Sequence, residues 1–147
     1  TGIGTQGQGH YTAFAQIVAE QLGVDVRDGD VVTGDTDQFY WGAGTFASRG
    51  AVVAGNAIHA AALAVRKKVL KKAAAELDDV AEEALELVDG VVRIKGVPES
   101  AIPLGELARR ANPLRGAVKP GTELVEGPYE AESFPVRGEN NYVVVEA

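Results

Sequence analysis

The sequence predicts an α+β fold, with long helices packed on a mainly antiparallel or mixed sheet. Three observations carry that expectation. One helical stripe runs from His10 to Leu22, and a longer one from Ser48 to Leu77. Asp89-Gly90 then sits between two short apolar segments as a two-residue hairpin turn. The chain has 147 residues, 46% of them hydrophobic. That suffices for one domain whose core removes roughly two-thirds of the unfolded surface from water.

Each element follows from its residues. In the first helix Phe14, Ile17, Val18 and Leu22 share a face, and Gly23 stops it. Asp30 to Thr33 reads as a short strand. From Ser48 to Leu77 the residues Val53, Ala57, Ala60, Leu63, Ala64, Leu70, Ala74 and Leu77 form a stripe. At ~1.5 Å per residue that helix would span roughly 45 Å. Leu85 to Val88 and Val91 to Ile94 are the hairpin strands. Pro103 to Ala111 predicts a short helix, and Tyr129 to Phe134 and Tyr142 to Glu146 predict strands. All six prolines lie in 96–140, which otherwise reads as irregular connections. The expected organisation is one unit over 1–147: a glycine-loop and long-helix part (1–95), then connections and strands (96–147).

Composition excludes several functions. The absence of cysteine rules out a disulfide scaffold, a thiolate zinc site, an iron–sulfur cluster and a cysteine nucleophile on this chain. The two histidines are far apart, so a histidine metal site is not expected. Net charge is −7, from 14 basic and 21 acidic residues. The basic cluster Arg66-Lys67-Lys68 with Lys71-Lys72 lies within the long helix and reads as a solvated face, so nucleic acid is not an expected partner. No apolar run reaches the ~18 residues of a membrane span. There is no methionine; the chain starts on Thr1 and ends in what reads as a strand still in progress. The expectation is a piece of a longer polypeptide, the alternative a processed protein that lacks Met.

Two glycine-rich turns carry the chemical information. The first is Gly2-Ile3-Gly4-Thr5-Gln6-Gly7-Gln8-Gly9-His10, directly before the first helix. Its glycines let φ go positive and let backbone N–H groups approach a ligand. The following helix start favours an anion such as phosphate. No Lys-Ser/Thr follows, so it is not a P-loop, and the match of Gly2, Gly4 and Gly7 to G-x-G-x-x-G is weak alone. A plain strand-to-helix turn explains this segment equally well. The second turn is Trp41 to Gly50. Ser48 is the expected N-cap of the long helix. Arg49, just inside that helix start, opposes the helix dipole unless a phosphate reverses the local sign; pairing with Asp35 or Asp37 is the ordinary alternative. Together the two turns suggest a ligand with more than one phosphate, or a phosphate and a polar heterocycle. No Ser-His-Asp set is present. His59 reads as structural or surface, and the carboxylates at 76–86 as a charge run.

Three blocks, in order, carry a resemblance: Gly7 to Ile17, Gly34-Asp35-Thr36-Asp37, and Gly44-Thr45-Phe46-Ala47-Ser48-Arg49. They resemble the molybdopterin-binding region of the xanthine dehydrogenase/aldehyde oxidase family, in particular the prokaryotic branch that includes the large subunit of aerobic carbon monoxide dehydrogenase. The likeness runs over essentially the whole chain. It implies part of a molybdenum-cofactor-binding domain of an oxidoreductase that hydroxylates an aldehyde, N-heterocycle or carbon monoxide with water. The implied cofactor is molybdenum with molybdopterin cytosine dinucleotide, the metal being held by the cofactor and not by side chains. Gln8 and Gly9 match the family's Gln-Gly motif, and His10 its neighbour. Ala47, Ser48, Arg49 and Gly50 match the helix-start loop for the pterin and its phosphates, with Thr45 in the same loop. No catalytic residue and no metal ligand is assigned, because the resemblance places the family's glutamate base in a Gly-Glu motif near the end of the large subunit, beyond the point where this chain stops. The resemblance further implies a cytoplasmic, oligomeric assembly with iron–sulfur and FAD subunits. A non-catalytic nucleotide- or anion-binding module, or a purely structural domain, remains an alternative at this point.

Overall fold

The computed structural model describes residues 1–39, 42 and 44–111, together with the backbone of 134–138 and 141–145. In chain order the elements are α1 (His10–Leu22), a 3-10 turn (Val26–Asp28), a π-helical turn (Gly50–Gly55), α2 (Asn56–Glu76) and a second 3-10 turn (Glu82–Ala84). Then follow β1 (Leu85–Val88), β2 (Val91–Ile94), β3 (Val97–Pro103), α3 (Leu104–Ala111), β4 (Phe134–Gly138) and β5 (Asn141–Val145).

The first helix forms as its residues dictate. Phe14 and Leu22 are buried, and Ile17 and Val18 pack against the core. Gly23 ends the helix in the left-handed conformation at φ 59° and returns its N–H to the Ala19 carbonyl. It is required twice over, since a Cβ there would stand 2.5 Å from the Leu87 carbonyl oxygen. The Gly23 carbonyl accepts from the Gly90 N–H at 2.6 Å, which ties the end of α1 to the hairpin turn.

β1 and β2 occupy the expected residues and pair antiparallel, with Leu85 opposite Ile94 and Val88 opposite Val91. Asp89 and Gly90 both have positive φ, 51° and 72°, as a tight primed turn requires. β3 is an addition that the proline content hides. Residues 97–103 are not an irregular connection but the third strand of the sheet, in order β1-β2-β3. Pro98 and Pro103 are accommodated because β3 is an edge strand, where a missing N–H leaves no ladder partner wanting. Gly96, at φ 77°, makes the second turn.

Two further expectations are corrected. Asp30 to Thr33 is not a strand; its main chain is held to Thr1 through Val32, and the next residue, Gly34, bonds to Thr1 as well. The stretch from Ser48 to Leu77 is not one helix. Gly50 and Gly55 bracket a π-helical turn, and the Asn56 side chain donates to the Val52 carbonyl at 2.6 Å, competing with the regular ladder. The buried face of α2 is also rotated from the expected stripe. Ala57, Ile58, Ala61, Ala62 and Val65 are buried, whereas Ala60 is exposed and Leu63 is 43% exposed.

The core is continuous from Ile3 and Phe14 through α2 to Leu85, Val92 and Leu107. Small side chains on α2 let α1 approach closely; a Cβ on Gly55 would touch Ile17 at 3.4 Å. The basic cluster is only partly a solvated face, because Arg66 donates to the Gln21 carbonyl at 2.6 Å, near the negative end of the α1 dipole. Lys72 and Arg110 both pair with Glu76, at 2.9 and 3.0 Å, and Arg110 also reaches Glu106, joining α2 to α3. α3 begins one residue later than expected. β4 and β5 pair antiparallel and run beside α2. Phe134 opens β4, residues 129–133 lie outside the described residues, and the expected Tyr142 to Glu146 strand corresponds to β5.

Candidate functional site

The two glycine-rich turns come together. Thr45 Oγ1 donates to the Gly4 carbonyl at 2.8 Å. Gly42 faces Gly2 so closely that a Cβ would collide with the Gly2 carbonyl oxygen. Farther along, the His10 imidazole abuts Gly50, where a Cβ would stand 2.7 Å from Nε2. Contacts 2–42, 4–45 and 10–50 thus run two loops side by side in the same direction.

Each loop ends in the same backbone shape. Gly9 is left-handed at φ 78° and His10 starts α1; Ser48 is left-handed at φ 55° and Arg49 is right-handed at φ −82°. A change of hand between neighbours is the turn in which successive N–H groups can converge on an anion. Neither helical start has a side-chain cap, and neither first turn carries an acidic residue. Both are therefore electropositive ends with no competing carboxylate nearby in sequence.

Ser48 does not serve as the expected N-cap, since its left-handed φ is not the extended conformation that aims a hydroxyl at the following N–H groups. Ala47 and Ser48 are consecutive non-glycine residues with φ of 51° and 55°, a strain of about 1–2 kcal/mol each. Both are exposed. The Arg49 guanidinium lies over the Phe46 ring at 4.7 Å, which fixes its planar group against a side chain that is 58% exposed.

Gln8, Gly9 and Gly7 are exposed, and Cβ atoms built on Gly7 or Gly9 would meet nothing within 4 Å. The Gln8 Oε1 accepts from the Gln6 N–H at 2.6 Å, so the loop is closed on itself while the amide nitrogen takes no part in that bond. His10 differs from its neighbours: it is only 6% exposed and stacks on Phe14, with ring centres 5.0 Å apart and planes 11° from parallel. Thr45 is a strut between the loops. Asp35, in the middle block, organises its own turn by accepting from the Asp37 N–H and Gln38 Nε2, both at 2.9 Å.

Other chemistry lies off these loops. Asp25 is held down to about 2 by the Arg27 guanidinium and backbone N–H. The Glu76 carboxyl is lowered, first by its hydrogen bond to Lys72 and then by Arg110. A wide cleft of about 780 Å³ lies between α1 and the hairpin turn, lined by Gln16, Glu20, Asp25 and Asp89 among others; a smaller one of about 280 Å³ lies by Phe14 and Ile58. Neither is lined by Gln8, His10, Ser48 or Arg49. Among the described residues, no group of three or more His, Cys, Asp or Glu could hold a metal, and no helix is long and apolar enough to cross a membrane.

Comparison with known proteins shows the family. Residues 1–142 match the molybdopterin cofactor-binding domain family. The chain is 37% identical over 108 residues to the large subunit of nicotine 6-hydroxylase from Paenarthrobacter nicotinovorans, covering 74% of this chain and 13% of that one. It is 38% identical over 125 residues to the carbon monoxide dehydrogenase large chain of Afipia carboxidovorans, covering 84% and 15%. The solved structure of quinoline 2-oxidoreductase from Pseudomonas putida 86 superposes with a TM-score of 0.67 at 36% identity, over 82% of this chain and 15% of that one. The chain thus spans about one-seventh of the length of these relatives. The match takes in both glycine loops and the uncapped helix starts that they serve, and the chain belongs to the molybdopterin cofactor-binding domain family.

Proposed function

We propose that this chain is the part of a molybdenum hydroxylase large subunit that grips the phosphate-bearing portion of a molybdopterin dinucleotide. The single observation that carries it is the pairing of two electropositive, uncapped helix starts, each preceded by a left-handed residue and held side by side by Thr45–Gly4 and His10–Gly50. One such start is common. Two in register suit a ligand with phosphates and a heterocycle.

The residues fit that ligand. Open space around Gly7 and Gly9 admits it without a side-chain clash, and no first-turn carboxylate repels it. Backbone N–H groups at Gly9 and His10 and at Ser48 and Gly50 would hold phosphate oxygens, the Arg49 N–H being taken by the Phe46 carbonyl at 3.1 Å, with the Ser48 hydroxyl and Arg49 guanidinium adding charge and donors. Gln8 would offer its amide nitrogen to the cofactor near the metal. When bound, the molybdenum–pterin group supplies the redox and oxygen-transfer chemistry, and this chain supplies binding and electrostatics.

The whole polypeptide would oxidise an aldehyde, an N-heterocycle or carbon monoxide with water as oxygen donor, with the base on a segment outside this chain. A cytosine dinucleotide, separate iron–sulfur and FAD subunits, an oligomeric assembly and a cytoplasmic location complete the proposal. Residues Gln6 to Gly9 and Phe46 to Ser48 are exposed, as those of a cradle completed by other segments of a longer polypeptide would be. The test is the molybdenum and pterin content of the full-length polypeptide purified from a molybdenum-replete host. Near-stoichiometric cofactor is expected; its absence would overturn the proposal.

A further inference from the structure

We infer that His10 is a positioning residue, a buried spacer that sets the distance between the two cofactor loops, and that Gly50 is glycine because this spacer occupies the room a Cβ needs. The inference deepens the proposed cofactor role and rests on it for its functional consequence.

Glycines in the two loops differ in what requires them. Gly7, Gly9 and Gly44 have positive φ and open space where a Cβ would go, so they are glycines for backbone conformation. Gly50 is the opposite: its φ lies outside the left-handed region, and the three atoms nearest a built Cβ are all in the His10 ring, with Nε2 at 2.7 Å, Cε1 at 3.4 Å and Cδ2 at 3.7 Å. Alanine is conformationally acceptable at Gly50 and is excluded by one side chain alone.

That side chain cannot swing away. His10 is 6% exposed, and its ring is stacked on Phe14, itself a fully buried core residue. The collision must therefore be relieved by moving the turn that contains Gly50. That turn is fixed to the first loop a second time, through Thr45 and Gly4. Displacing one end while the other holds would tilt Ser48 and Arg49 relative to Gly9. The His10 ring thus acts between the loops while its backbone N–H remains on the cofactor side, a role that differs from that of its exposed neighbours Gln8 and Gly9. Its Nδ1 is buried without a hydrogen-bond partner among the described residues, so the contact with Gly50 rests on the shape of the ring and not on a hydrogen bond at Nδ1.

The test is a size-exchange cycle in the full-length polypeptide: Gly50→Ala, His10→Ala and the double variant. Bound molybdenum and pterin are measured per folded chain, and thermal unfolding is followed in parallel. Gly50→Ala is expected to lower cofactor retention about tenfold, the scale seen when supporting groups behind a metal site are altered. His10→Ala combined with Gly50→Ala is expected to recover most of that loss, because the new methyl enters the space the ring vacates. A general loss of stability would not be reversed by removing a second core side chain, so the recovery distinguishes a spacer from a merely structural histidine. Wild-type retention in Gly50→Ala overturns the inference, as does a double variant no better than Gly50→Ala alone. If Gly50→Ala does not fold, the double variant decides: folded with cofactor it supports the spacer, and unfolded it contradicts it. A wild-type polypeptide without cofactor would instead defeat the proposed function, leaving the steric pairing to be read from the thermal cycle.

Discussion

The glycine-loop face (residues 1–10 and 44–55) and the helix–sheet body (the rest of α1, and α2 onward to α3) are built on opposite principles. In the body, turns satisfy themselves. Asp89-Gly90 closes a hairpin in ladder register, and Gly23 caps α1 with its own N–H while its carbonyl accepts from Gly90. In the face, two helix starts lack side-chain caps, a π-helical turn replaces regular helix, and the left-handed Ala47 and Ser48 run straight into a helix start, whereas the left-handed Asp78 and Asp79 of the body follow a helix end. Sites of strain and unfilled donors are where a chain departs from its own most stable arrangement to serve a ligand. On the proposed function, the body sets stability and the face sets binding.

The sharpest contrast is between variants in the two regions. Leu107→Ala empties a site that is 2% exposed and should cost about 2–5 kcal/mol in urea unfolding. The cofactor bound per folded polypeptide should not change. If it fell in proportion to stability, the separation between body and face would be broken.

Ser48→Gly should move the two properties in opposite directions. Removing the left-handed penalty, less the added chain entropy of glycine, should raise stability by about 0.5–1 kcal/mol. Loss of the hydroxyl should weaken cofactor retention. A loss of stability in the same unfolding experiment would mean that the strain assigned to this turn is not there.

The smallest effect belongs to the body's surface ion pairs. Glu76 has its folded pKa depressed by Lys72 and then Arg110, so its stabilising contribution is complete above the unfolded carboxyl value and is lost as pH falls through the lower folded value. Glu76→Gln should cost at most about 1 kcal/mol near neutral pH. It should also flatten the loss of stability on acidification, as unfolding titrations across the acid range would read.

Local signals made much of the body legible in the sequence. The hairpin and the end of α1 follow from Asp89, Gly90 and Gly23, each of which acts on its immediate neighbours. The buried face of α2 was not legible, because Ala57, Ala60, Ala61, Ala62 and Ala64 give nearly the same hydrophobic signal and only α1 and the sheet decide which are covered. β3 was hidden by Pro98 and Pro103, which an edge strand tolerates. The Lys95-Gly96 step between Ile94 and Val97 was the available signal for it. At the site, the glycines marked two turns that a ligand or a plain strand-to-helix turn would explain, and the family resemblance supplied the ligand now proposed for them. The His10–Gly50 contact was invisible, since forty residues separate its members and no spacing rule links them.

The central claim is that the paired loops grip a phosphate-bearing pterin cofactor, and the Ser48→Ala, Arg49→Ala double variant of the full-length polypeptide tests it most directly. Cofactor content per folded chain, with circular dichroism and thermal unfolding as the check on folding, is the measurement. A marked fall in bound pterin with an unchanged fold is the predicted result; full pterin content in the folded variant would contradict the account.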